Sequence, residues 1–133
     1  MRLLIDTNII LEVILEQAEA EEAQALLVKT EEHEFFLSDY SLHSVGLFLF
    51  RRKQHDVFRQ FLTDMIFNAG IRMTALSPED METVINVARR LNLDFDDAYQ
   101  YAVAEKYNLT IVSLDSDFDR TERGRKTPAE VLS

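Results

Sequence analysis

The chain has 133 residues, of which 47% are hydrophobic, and its formal net charge is −10 at pH 7. This length and composition predict one globular domain over residues 1–133 and exclude a disordered chain. The absence of Cys excludes a disulfide framework, a thiol nucleophile and a thiolate metal site. The negative charge repels nucleic acid, so a nucleic-acid role must depend on metal ions and local basic patches, and the acidic surface also suits a basic protein partner.

The N-terminal stretch predicts a strand followed by a helix. It is too short and too interrupted by acids to span a membrane and lacks a small-residue cleavage site, so we expect a cytoplasmic protein without membrane contact. Arg2–Ile5 is an apolar run that predicts a buried first strand ending at Asp6. Thr7 or Asn8 is expected to cap the next helix. Asp6 would then lie at the carboxyl end of a strand, where open α/β sheets bind ligands.

The next part of the chain predicts two helices around a second strand. Residues 16–34 are expected to be mostly helical, with an acidic face toward solvent. Residues 35–37 predict a strand that ends near Asp39. The helix that begins near Tyr40 is apolar nearly all round, which indicates either central core or an oligomer interface.

A second helix–strand–helix alternation follows. Residues 55–69 predict an amphipathic helix that stops at Gly70, before a short third strand over residues 71–76. Pro78 is expected at the first position of another helix. Strands that alternate with helices predict an α/β fold with a mainly parallel sheet.

Residues 92–120 combine a helix and a strand with acids at both ends. A helix over 94–107 and a strand over 109–114 would each be about 20 Å long, and their short connection makes them antiparallel. The helix start and the strand end therefore lie at the same edge of the fold. That edge receives two groups of acids: Asp94, Asp96 and Asp97 before the helix body, and Asp115, Asp117 and Asp119 after the strand.

Strand ends and a helix start thus deliver several carboxylates to one place. Asp6 and Asp115 follow strands, Asp96 or Asp97 comes from the helix start, and Asp39 follows a third strand. Clustered carboxylates repel one another and raise each other's pKa, unless a hard cation lies between them. Oxygen ligands without Cys or clustered His suit Mg²⁺ or Mn²⁺. The chemistry indicated is metal-assisted phosphodiester hydrolysis.

Each acid also has a purely structural interpretation. Asp94 is expected to be an N-cap, with Asp97 three residues later resembling a capping box. Asp96 could complement the helix dipole, and Asp39 could cap its own helix. Asp117 and Asp119 could each belong to an Asx turn.

The remaining charged residues are less informative. His33, His43 and His55 share no metal-ligand spacing and are expected at the surface or the edge of the core. Basic residues follow the last acid cluster, near where an RNA backbone would pass, and a solvated loop is an equal interpretation of them: Arg120, Arg123, Arg125 and Lys126.

Three short motifs carry a resemblance to a known family. The sequence LIDTN at residues 4–8 resembles the start of a PIN domain. Asp96-Asp97-Ala98 is similar to that family's Asp-Ala signature. IVSLDSDF at residues 111–118 is similar to its strand-end motif, with Ser113 at a position usually Thr or Ser. Order, spacing and length agree over nearly the whole chain, and the VapC-type toxins of prokaryotic toxin–antitoxin pairs are the most similar group.

The resemblance implies a Rossmann-like three-layer α/β/α fold with a mainly parallel central sheet. It also implies an Mg²⁺- or Mn²⁺-dependent ribonuclease that acts on RNA, is often a homodimer and is inhibited by a cognate antitoxin. Asp6, Asp97 and Asp115 would hold the ion, and Asp117 would be a further ligand or position the attacking water.

One position departs from the family pattern. The family usually has Glu on the helix after the second strand, and Ser44 stands there in this chain. Asp39 is a candidate to compensate. An alternative hypothesis is therefore a weakened PIN-like domain that binds RNA or a protein partner without cleavage. A phosphotransfer or phosphatase domain using Asp6 is less favoured, because the first strand lacks an Asp-x-Asp pair.

Overall fold

Four short parallel strands form the central sheet in this computed structural model, which describes residues 1–133. The strands are β1 (Arg2–Ile5), β2 (Glu34–Ser38), β3 (Arg72–Thr74) and β4 (Thr110–Val112). Their order in the sheet is β3-β2-β1-β4, and Leu4 of β1 is paired with Phe36 on one side and Ile111 on the other. Because every neighbour is parallel, all four strands end at the same edge of the sheet.

Seven α-helices connect and cover the strands: α1 (Thr7–Ile14), α2 (Ala20–Leu27), α3 (Asp39–Arg51), α4 (His55–Phe61), α5 (Met81–Leu91), α6 (Phe95–Tyr107) and α7 (Pro128–Leu132). A π-helical segment, Leu62–Asn68, continues α4, and 3₁₀ turns occupy Pro78–Asp80 and Ser116–Arg120. No helix has the length and apolar character needed to cross a membrane.

Helices cover both faces of the sheet because the strand residues alternate between two hydrophobic clusters. Leu3 and Ile5 point into a cluster with residues of α1 to α4. Leu4 and Ile111 point into a second cluster with residues of α5 and α6. This alternation is the period of two that a pleated strand imposes. The three-layer α/β/α fold with a parallel sheet is therefore confirmed.

Two predicted helices are wrong in their extent. The expected helix over residues 16–34 shrinks to α2, because Glu16 takes a left-handed conformation (φ 50°) and residues 28–33 form turns. The helix expected over 55–69 changes to π-helical geometry after Phe61. Its stop is as predicted: Gly70, with φ 74°, adopts the left-handed conformation that glycine tolerates best.

The helix and the strand that connect the two groups of acids meet as expected. Asn108 ends α6 in a left-handed conformation (φ 54°), and after Leu109 the chain enters β4 in the opposite direction. The outer side of β4 is paired with the backbone of Lys126, whose N–H donates to Ile111 O at 2.8 Å and whose carbonyl accepts from Ser113 N at 3.0 Å. The acidic segment after β4 is thus held at both ends.

Candidate functional site

A cleft of about 210 Å³ opens at the edge where the strands end. Its nine lining residues come from the start of α1, from α3, from the start of α6 and from the segment after β4: Asp6, Thr7, Asn8, Leu11, Tyr40, Ser44, Asp96, Asp97 and Asp115. No Lys, Arg or His is among them. The cleft therefore gathers four carboxylates without a positive charge in its lining.

Asp6 is held by donors on every side. It is the N-cap of α1, a role that we had expected of Thr7 or Asn8, and its Oδ1 accepts from Thr7 N at 2.8 Å. Gln100 Nε2 also donates to Oδ1, at 3.0 Å. Ser113 Oγ donates to Oδ2 at 2.7 Å, and Asn8 Nδ2 lies 3.4 Å from the same oxygen. These contacts fix the orientation of the Asp6 carboxylate.

Burial raises the pKa of Asp6 above its usual value, because the charged form loses water. The hydrogen bonds from Ser113, Gln100 and the Thr7 amide act in the opposite direction, and the charge of Asp115 adds to the increase. Asp6 is 7% exposed, so only a narrow part of the carboxyl faces the cleft.

Three other acids form the tightest group of possible metal ligands. Carboxylate oxygens of Asp97, Asp115 and Asp117 lie within 4.8 Å of one another. Asp97 comes from the first turn of α6, whereas Asp115 caps the 3₁₀ turn and accepts from Asp117 N at 2.8 Å. Asp117 forms a salt bridge with Arg120 at 3.1 Å, and neither Asp97 nor Asp115 forms one.

The proximity of these acids changes the protonation of Asp97. Burial, a hydrogen bond with Asp115 and the negative charges of Asp115, Asp96 and Asp6 raise the pKa of Asp97 to about 8. Without a cation, these surroundings therefore favour the protonated form of Asp97.

This donor set fits a hard divalent cation. Its ligand atoms are all carboxylate oxygens, and besides burial the neighbouring negative charges raise the pKa of Asp97. Asp97, Asp115 and Asp117 could hold the ion. Asp6, which we had also expected as a ligand, shares the cleft with Asp97 and Asp115 but lies outside this group of three.

Ser44 lines the cleft, at the position where the family pattern has Glu. Asp39, the candidate to replace that carboxylate, is not part of the lining. Its Oδ1 instead accepts from the Tyr99 hydroxyl at 2.7 Å and from Tyr40 N at 2.9 Å. The carboxylates of the cleft therefore come from the strand ends and α6 alone.

The structural interpretations of the neighbouring acids are partly correct. Asp94 is the N-cap residue of α6, but its side chain makes no capping hydrogen bond, so the predicted capping box with Asp97 is wrong. The expected Asx turn is centred on Asp115, whose side chain accepts from Asp117 N. Asp119 pairs with Arg125 at 3.0 Å instead.

The arginines that follow the acid cluster make intramolecular contacts. Arg120 donates to the carbonyls of Leu91 and Asn92 as well as to Asp117. Arg123 donates to Asn108 Oδ1 and to the Leu109 carbonyl, both at 3.1 Å. Arg125, besides its pair with Asp119, donates to Ser113 O at 3.0 Å. These side chains therefore secure the loop and contribute nothing to the lining of the cleft.

Sequence reasoning missed the buried polar network beneath the cleft. Gln100 Nε2 bridges Asp6 and Ser41 Oγ (2.7 Å), and its Oε1 is buried without a partner. Ser113 Oγ accepts from Asp115 N at 2.9 Å while donating to Asp6. A signal was present for Gln100: it lies one turn after Asp97 on a helix whose other inward residues are apolar.

Comparison with known proteins assigns this architecture. A family model described as the PIN domain matches residues 3–124. The chain belongs to the PIN domain family. As a PIN domain it places the three motifs LIDTN, Asp-Asp-Ala and IVSLDSDF around one cleft. No curated protein sequence matches the chain.

Solved structures with the same fold include components of toxin–antitoxin systems. VapBC2 from Rickettsia felis, bound to a DNA fragment from its promoter, has a TM-score of 0.74 at 15% identity, over 95% of this chain and 97% of the other. VapC20 from Mycobacterium tuberculosis, a sarcin-ricin loop cleaving toxin, has a TM-score of 0.73 at 18% identity, over 90% of this chain and 95% of the other. FitAcB from Neisseria gonorrhoeae has a TM-score of 0.72 at 20% identity, over 96% of this chain and 98% of the other. At these low identities, the TM-scores show that the fold is shared.

Proposed function

We propose that this PIN domain is an Mg²⁺- or Mn²⁺-dependent endoribonuclease, a cytoplasmic protein in which residues 1–133 act as one domain. The observation that carries the proposal is the convergence of Asp97, Asp115 and Asp117 within 4.8 Å, beside Asp6 and without a basic lining residue. Asp97 and Asp115 have no basic partner, and a cation held by carboxylates engages phosphate oxygens.

A bound divalent ion supplies a water of lowered pKa and positive charge for the developing oxyanions of phosphodiester hydrolysis. Asp97 and Asp115 would hold the ion, and Asp117 would be a third ligand or position the water. Asp6 completes the site as the fourth carboxylate, oriented by Ser113 and Gln100. Asp97 must lose its proton before it becomes a ligand, because its pKa is raised to about 8.

We further propose that the protein is the toxin of a type II toxin–antitoxin pair, inhibited by an antitoxin. The support is the similarity to VapBC2, to FitAcB and to a structure described as a toxin–antitoxin complex from Klebsiella pneumoniae (TM-score 0.68, 19% identity). The acidic surface of this chain, with a net charge of −10, favours a basic partner segment.

A homodimer is proposed through α3. Leu47 and Phe50 of this helix are 56% and 53% exposed, and they border an apolar groove that also includes Phe58. Exposed apolar surface of this kind on one helix is typical of an interface between subunits. This agrees with the oligomer interpretation of the apolar pattern of α3.

Ser44 supports a second candidate function. A Ser hydroxyl is a far weaker metal ligand than a carboxylate, and no carboxylate from α3 lines the cleft. A PIN domain weakened in this way would bind RNA or a protein partner without cleavage.

The deciding experiment is RNA cleavage with Mg²⁺ or Mn²⁺ by the wild type and by Asp6→Asn and Asp115→Asn. We expect cleavage that needs the ion and is lost in both variants. Asp94→Asn is the matched control, because Asp94 is exposed, makes no side-chain cap hydrogen bond and lies outside the cleft. Equal cleavage by wild type and Asp6→Asn would point to contamination, and ion-independent RNA binding without cleavage would favour the second candidate.

A further inference from the structure

An exposed aromatic ring precedes, in the sequence, two acids that line the cleft. Phe95 is the first residue of α6, directly before Asp96 and Asp97, and 59% of it is exposed. Its ring lies 6.0 Å from that of Tyr99, centroid to centroid, at an angle of 45°. The Tyr99 ring in turn lies 6.1 Å from that of Tyr40, which lines the cleft. Three rings therefore run without a break from solvent to the cleft.

The inner rings are held rigidly. The Tyr99 hydroxyl donates to Asp39 at 2.7 Å and accepts from Leu76 N at 3.1 Å, and Tyr99 is only 7% exposed. Phe95 thus has a fixed support on one side and water on the other. Burial of a Phe side chain lowers the free energy, so an exposed ring beside a site is available for contact with a ligand.

The charges around the cleft restrict what that ligand contact can be. None of the nine lining residues is basic, and Arg120, Arg123 and Arg125 are engaged within the loop. A nucleic acid at this site cannot depend on Lys or Arg contacts to its phosphates within the cleft. Stacking of a base on an aromatic ring needs no positive charge and contributes about 1–3 kcal/mol per base.

We propose that Phe95, supported by Tyr99 and Tyr40, stacks an unpaired base of single-stranded RNA beside the carboxylate site. The proposal rests on the proposed function for its substrate class and adds a base-binding subsite to it. A strand with unpaired bases is required, because a paired base presents no free face to the ring. Phe95 is then a binding residue that anchors the RNA next to the acids.

Binding of a fluorescent single-stranded RNA, measured by anisotropy, tests the proposal. All variants are compared in the Asp6→Asn background, so that cleavage does not consume the probe. Phe95→Ala and Phe95→Leu remove the aromatic face, and Leu retains apolar area. Phe95→Tyr keeps the ring. Phe67→Ala is the matched control, because Phe67 is 74% exposed on the π-helical segment Leu62–Asn68 and lies outside the cleft.

We expect Phe95→Ala and Phe95→Leu to weaken binding by about 5- to 150-fold, the range that corresponds to one stacked base. Phe95→Tyr and Phe67→Ala should bind as the background protein does. An RNA in which one base is replaced by an abasic site should lose affinity for the background protein and not for Phe95→Ala. This pairing identifies a base as the group that contacts the ring.

Three results would overturn the inference. Equal RNA affinity of Phe95→Ala and the background protein excludes stacking. Full RNA affinity of Phe95→Leu shows that the ring makes an apolar contact and does not stack a base. A change in sedimentation mass of Phe95→Ala with unchanged RNA affinity identifies the patch as a protein interface. In each case metal-dependent cleavage by the wild type would leave the proposed function standing. If the wild type neither binds nor cleaves RNA, both proposals fall.

Discussion

Carboxylate oxygens of Asp97 and Asp115 lie within 4.8 Å of each other, and neither group forms a salt bridge with a basic side chain. Carboxylates this close repel each other, and either a proton on Asp97 or a bound cation relieves the repulsion. The stability of the protein should therefore depend on the pH and on the concentration of divalent metal.

Without metal, we expect the free energy of unfolding to fall as pH rises from about 4 to about 8, the interval between the pKa of an unfolded Asp and that of folded Asp97. In this interval the unfolded chain has lost a proton that the folded chain retains. Asp97→Asn should flatten this slope, and Asp94→Asn should not. Urea denaturation in a chelator at several pH values measures it. A stability that rises with pH over this range would contradict the raised pKa.

Mg²⁺ and Mn²⁺ should raise the melting temperature, because the ion binds the folded site alone. An ion at 100 times its Kd adds about 2.7 kcal/mol to the stability. The shift should be larger near pH 8 than at acid pH, since the Asp97 proton competes with the ion. Asp115→Asn should remove most of the metal-dependent increase in melting temperature. No shift at millimolar metal would favour the function without cleavage.

Ser44→Glu should place a fifth carboxylate in the cleft lining. In a chelator we expect a lower melting temperature than that of the wild type, since the new charge faces Asp6, Asp97 and Asp115. With Mn²⁺ we expect a larger increase in melting temperature, together with faster RNA cleavage. Ser44→Gln has the same size without the charge and serves as the control. If Ser44→Glu and Ser44→Gln respond equally to Mn²⁺, the position does not contribute a ligand.

Ser113→Ala should destabilise the protein by about 1–3 kcal/mol, the cost of leaving buried polar groups without a partner. Ser113 is fully buried, donates to Asp6 and accepts from Asp115 N and from Asn8. Ser116→Ala, at an exposed position in the next turn, should change stability by less than about 0.5 kcal/mol. Chemical denaturation of the two variants compares these costs, and similar values would show that the network contributes little.

The edge that gathers the acids followed from the sequence because it depends only on strand direction. Parallel neighbours end together, so Asp6 after β1 and Asp115 after β4 had to meet. Asp97 joined them because a short turn at Asn108 reverses the chain between α6 and β4. These relations need no knowledge of side-chain contacts.

Other parts of the site depend on contacts that periodicity does not encode. Asp117 approaches Asp97 because a 3₁₀ turn follows Asp115, and an acidic run of that kind is equally compatible with a loop. The arginine contacts depend on the course of the loop back to β4, which sequence spacing leaves open. The long helix expected over residues 16–34 failed for a related reason, since a single left-handed residue, Glu16, redirects the chain.

The pairing of Lys126 with β4 has a consequence for the solubility of shortened forms. Its backbone occupies the hydrogen-bonding groups of Ile111 and Ser113 that would otherwise form a free sheet edge. A chain cut after residue 124, where the match to the family model stops, would lose this cover and the contact of Arg125 with Ser113. Uncovered strand edges recruit strands from other molecules. Shortened chains should therefore aggregate by intermolecular β-pairing, although Asp6, Asp97, Asp115 and Asp117 are all still present.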